Sequence, residues 1–131
     1  MSETAKQLTT AELEAGLNNI LASPKDEGRL ELIVKRPDVD ARESVGEGRL
    51  DVAEGLVGDN WLARGCRHMP NGAADPEMQL NIMNARVVQL VADDAARREL
   101  AGDQLYVDMD LSGDNLPPGT QLSIGDAIIE V

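Results

Sequence analysis

The chain of 131 residues carries 24 acidic against 12 basic side chains, a formal charge of −12, and has no Phe, one Trp and one Tyr. Such a surface repels phosphate backbones and lacks the aromatic platforms on which bases stack, so no nucleic-acid partner is expected. A single cysteine, Cys66, forbids an intrachain disulfide, the polar start MSETAKQLTT has no secretory apolar core, and no apolar run reaches a membrane span, so a cytoplasmic protein with no membrane partner is expected.

In TTAELEAGLNNILASP, Thr9 and Glu12 have capping-box spacing. Leu13, Leu17, Ile20 and Leu21 share one helical face, and Ser23-Pro24 ends the helix because a residue before proline avoids the helical region. So narrow an apolar stripe needs a partner surface, which predicts packing on the outside of the remaining elements. After KDEG the period changes to two: Leu30, Leu32 and Val34 point one way, Glu31, Ile33 and Lys35 the other, and Pro37 ends that strand. RLDVAEG repeats the alternation with Leu50 and Val52. GLVGDNWLARGCRHMPNGAADPEMQ, rich in Gly, Asn, Asp and Pro, reads as a loop longer than the usual connection.

LNIMNARVVQLV reads as a longer strand, with Leu80, Ile82, Val88 and Leu90 on one face and the polar pair Asn84 and Arg86 interrupting it. ADDAARRELAGD predicts a short helix capped at Gly102. QLYVDMDL alternates strictly, Leu105, Val107, Met109 and Leu111 against Gln104, Tyr106, Asp108 and Asp110, which predicts a half-exposed strand. Beyond the loop SGDNLPPG, Leu122 and Ile124 face Ala127, Ile129 and Val131 across Gly125-Asp126, a two-residue hairpin signal. Half-buried strands favour antiparallel pairing. The expected fold is mainly β, a single domain over 1–131. An N-terminal helical extension (1–28) precedes an antiparallel β-barrel or rolled sheet (29–131), with one short helix also outside it.

Three groups of residues could carry chemistry. Cys66 lies among Arg64, Arg67 and His68, and nearby positive charge favours thiolate, which makes Cys66 a thiol candidate; the plainer reading is an idle cysteine on a loop. A metal on Cys66 and His68 would need Asp59 or Asp75 as further ligands, without any zinc-type spacing, so no metal is expected. Arg64, Arg67 and Arg86 could hold a small anion with their guanidinium forks, or simply be solvated. Asp108 and Asp110 could share a proton or a cation, though such a face is more often just wet.

The ordered tracts LELIVKRP, AEGLVGD, MQLNIMNARVVQLV and GDQLYVDMDLSGDNLPPGTQLSIGDAIIEV resemble the MOSC domain, named for the C-terminal domain of molybdenum-cofactor sulfurase. The resemblance covers roughly Leu30 to Val131 and is strongest over Gly55 to Asp59 and Gly102 to Val131; the leading helix looks like an extension seen in one bacterial subgroup. It implies a β-barrel that binds molybdenum cofactor or carries sulfur, often as a cysteine persulfide, and some members support reduction of N-hydroxylated substrates. Asp59 and Asn115 fall on its motif positions and Arg86 on a polar barrel position; with Arg64 and Arg67 they are expected to line the cofactor pocket. The family's cysteine follows the last hairpin, so the chain reads as a member shortened before that segment, and Cys66 does not align with it. The alternative is a non-catalytic barrel that binds a small anionic ligand or a protein. An edge at residues 127 to 131 predicts a homodimer through that strand, or another element laid over it.

Overall fold

The computed structural model describes residues 7–92 and 94–131. In chain order its main elements are α1 (Thr10–Leu21), β1 (Arg29–Lys35), β2 (Glu43–Val45), β3 (Leu50–Asp51), β4 (Gly55–Leu56), α2 (Trp61–Arg64), β5 (Ile82–Asn84), α3 (Ala85–Ala92), β6 (Leu105–Asp108), β7 (Gln121–Ile124) and β8 (Ala127–Glu130). Short 3₁₀ turns at Pro70–Gly72, Pro76–Met78 and Ala95–Ala101 fill the connections.

The barrel expectation is overturned. The fold is mixed α/β, with three separate small sheets and no closed barrel among the described residues. The largest sheet runs β2-β1-β6-β5, and the hairpins β3-β4 and β7-β8 stand as two-stranded sheets of their own. Within the large sheet β5 and β6 are parallel, joined by a crossover that contains α3, whereas the period-two reading favoured antiparallel pairing throughout.

The physical cause lies at Asn84. The tract LNIMNARVVQLV is not one strand: Asn84 ends β5 and starts α3, its side-chain oxygen accepting the N–H groups of Arg86 (2.8 Å) and Val87 (3.1 Å). An asparagine in that position satisfies donors that a new helix leaves open. Val88 therefore lies on a helix, where it buries against Val34 and Tyr106, all three at most 3% exposed, with Leu32 and Met83 around them. Short apolar runs fit both periods, and here the helical one wins.

QLYVDMDL also departs from expectation. Gln104 and Tyr106 are fully buried and Leu105 is nearly so, because β6 is central, with β1 on one side and β5 on the other. A bulge between Leu30 and Leu32 shifts the register of β1 against β6, so one alternation does not run the length of β1.

Other local signals hold. The Thr9 hydroxyl accepts the Glu12 N–H at 3.1 Å, and Glu12 returns the bond to Thr9 N–H at 3.0 Å. The helix ends at Leu21 before Pro24, Gly102 adopts the left-handed cap, and Gly125 makes the β7-β8 turn with φ of 56°. Helix α1 buries no residue, and it meets α3 at Gly16, where an added side chain would press on the Leu90 side chain. Among the described residues no helix is long and apolar enough to cross a membrane.

Candidate functional site

The residues expected to line one pocket lie in three separate networks. Asp59 sits just before α2 with its side chain wholly buried. Its carboxylate accepts Arg36 Nε at 2.9 Å and Nη2 at 2.7 Å in a two-pronged pair, together with the backbone N–H groups of Arg36 and Trp61 and the amide of Gln104. Five donors saturate the lone pairs of one carboxylate. Burial by itself would raise the Asp59 pKa, but the hydrogen bonds and charge of Arg36 outweigh it and hold the group below its ordinary value. Gln104 completes the network: its amide also donates to Gln79 O at 3.0 Å, and its oxygen accepts Asn81 N–H at 2.7 Å. Asp59 thus joins β1, α2 and β6 and has no capacity left for a ligand.

Arg86 and Asn115 belong to a second network, at the C-terminal end of β6. Arg86 Nε donates to Asp108 Oδ1 at 2.7 Å and Nη1 to Asn19 O at 2.7 Å. Both bonds from the Asn115 amide go to backbone, Lys25 O at 2.9 Å and Asp110 O at 2.8 Å. The Asn84 amide bonds Ser23 Oγ and Met109 O. Asp110 pairs with Lys25 at 2.8 Å, and the Lys25 ammonium first, then Ser112, hold its carboxyl down at about 2. These bonds pin the segment after α1 onto the segment after β6. Asp108 and Asp110 therefore each pair with a cation of their own.

The third network is the loop after α2. Gly65 has φ of 68° and ψ of −167°, a conformation essentially confined to glycine, and any side chain there would strike the Gly72 carbonyl. That close approach lets the Cys66 N–H donate to the carbonyls of Gly72 (3.2 Å) and Ala73 (3.1 Å), while Met69 N–H donates to Cys66 O. The loop is tied to itself across Asn71 and Gly72, both with positive φ.

Three side chains then come together. Cys66 Sγ lies 3.0 Å from His68 Nδ1 and 3.4 Å from Nε2, and His68 Nε2 lies 3.1 Å from Asp75 Oδ2. Asp75 is fixed in turn by the Glu77 N–H on its other oxygen, at 3.0 Å. The Glu77 bond first and the His68 bond second lower the Asp75 pKa, so it stays a carboxylate. With Nε2 donating to Asp75, Nδ1 remains as the acceptor toward the thiol. The similar distances from sulfur to the two nitrogens place it over the Cε1 side of the ring, out of line with the Nδ1 lone pair. Hydrogen bonds of this kind commonly tighten only with substrate present. His68 is 63% exposed. Arg64 and Arg67 flank Cys66, are exposed, and have no ion-pair partner among the described residues.

In the sequence Asp75 stands out only as a metal ligand. A usable signal for its actual place was Asp75-Pro76, an aspartate positioned to cap the turn Pro76–Met78 and so held rigid beside the loop. Comparison with protein-family models, curated proteins and solved structures found no match. As a cradle for molybdenum cofactor the five expected residues do not fit. Asp59 is saturated, Arg86 and Asn115 are spent on Asp108 and on backbone carbonyls, and only Arg64 and Arg67 remain open to an anion.

Proposed function

We propose that the chain carries sulfur on Cys66, as a persulfide taken from a donor thiol. The contact chain Cys66–His68–Asp75 carries this reading. His68 accepts the thiol proton, and the Cys66 thiolate attacks the outer sulfur of a donor persulfide, R–S–SH. The donor's S–S bond breaks, the donor leaves as a thiolate, and His68 returns the proton to it. Cys66 ends as a persulfide with no net oxidation or reduction. Asp75 does not touch the reacting atoms; it keeps the imidazole in the tautomer that accepts at Nδ1.

Incubation with a cysteine desulfurase and ³⁵S-cysteine tests this. Reductant-labile label is expected on the wild type and none on Cys66→Ala. An unlabelled wild-type Cys66 would end the sulfur-carrier reading.

A further inference from the structure

Between the hairpins β3-β4 and β7-β8 runs an open cleft of about 900 Å³. Leu50, Leu80, Ile82, Leu116, Leu122 and Ile129 supply much of its apolar lining. Its charged lining residues are Asp51, Glu77 and Glu130, and no Lys or Arg lines it among the described residues.

The hairpin that forms one wall offers hydrogen bonds as well as apolar surface. Leu122 pairs with Ile129 and Ile124 with Ala127 across a two-residue turn, and Val131 N–H bonds Thr120 O. In such a ladder the alternate residues, Ile128 and Glu130, turn their backbone N–H and C=O groups away from β7. No third strand covers them among the described residues, and Ile128 is 69% exposed. An edge of this kind adds a strand readily.

We infer that this cleft binds an extended segment of a partner protein, with aliphatic side chains at alternate positions and Lys or Arg at its flanks, added as a third strand along β8. The aliphatic side chains meet the leucine and isoleucine walls, and the basic flanks meet Asp51, Glu77 and Glu130. Charge disfavours a second copy of this chain as the occupant. Each copy carries −12, and a two-fold contact would bring acidic rim against acidic rim. The inference uses no property of Cys66 and stands apart from the sulfur-carrier reading.

The test uses two synthetic peptides of about eight residues, a strand's length. Both alternate valine and threonine; one is flanked by lysines and the other by glutamates, and binding is read by fluorescence anisotropy. The lysine-flanked peptide is expected to bind at least about tenfold more tightly at low salt, with the gap closing in high salt as exposed charges are screened. Hydrogen exchange at the Ile128 and Glu130 amides should slow when it binds. Leu122→Glu should abolish binding. Because that variant can disturb the hairpin, the double charge reversal Glu77→Lys with Glu130→Lys is the second arm, and it should reverse the preference between the peptides. Equal binding of both peptides, binding of neither, or an unchanged preference in the reversed variant overturns the inference. So does a stable dimer in light scattering that Leu122→Glu dissociates, since the occupant is then a second copy.

Discussion

Asp59 and Asp75 each hold a basic side chain, one in the interior and one near the surface. Asp59 has five donors and no contact with water, so every bond it can make is made. Asp75 has two partners and orients an imidazole that is 63% exposed and faces a thiol. A saturated carboxylate builds the fold; an incompletely committed one leaves its partner exposed at the surface. The contrast separates the two roles better than residue type, since aspartate paired with a nitrogen base occurs in both places.

The contrast makes Asp59→Ala the most damaging change. It strands the Arg36 guanidinium, whose side chain is 7% exposed, and the expected cost is about 3–5 kcal/mol in chemical denaturation. Equal stability of this variant and the wild type would remove the distinction between the two regions. At the loop the opposite pattern is expected. His68→Ala should slow persulfide formation by about 10²-fold or more, and Asp75→Asn by less, while both leave the melting temperature unchanged.

Tyr106→Phe tests the interior more gently. The buried Tyr106 hydroxyl accepts the Asp103 N–H at 3.2 Å, so its removal should cost about 1 kcal/mol in the same denaturation measurement. The smallest effect expected is a change of slope with pH. Asp59 is held below its ordinary value, so its contribution is complete above the unfolded value of about 4 and lost as pH falls below it. Burial raises Asp103, with Arg36 partly offsetting it, so ionising Asp103 lowers stability as pH rises through the same region. Asp103→Asn should therefore steepen the acid-side loss, and Asp59→Ala should flatten it, in melts taken between about pH 3 and 6.

Individual elements, though not the fold class, were legible where a short stretch contains its own reason. Thr9 and Glu12 close a capping box, Pro24 and Pro37 stop elements, and Gly102 and Gly125 take conformations that suit glycine. Where a run of apolar residues allows two periods, the sequence misleads: alternation puts Val88 on a strand, yet it lies on a helix, and the interruption at Asn84 is the helix cap itself. The candidate site was half legible. Cys66 and His68 stand out by adjacency and charge, but Asp75 becomes their third member only when Gly65 folds the loop against Gly72. Asp59, Arg86 and Asn115 were legible as polar positions, not as parts of separate networks.

Composition and local order alone determined the acidic surface, the lone thiol, the first helix with its caps, strand β1 and the last hairpin, because those depend on neighbours within a few residues. Tertiary structure decided that the sheet does not close, that β6 lies at its centre, and which carboxylates are used up. The reason is that the partners of these groups lie far away in the chain: Arg36 reaches Asp59, Asn115 reaches Lys25 and Gln104 reaches Gln79, contacts that packing alone brings together.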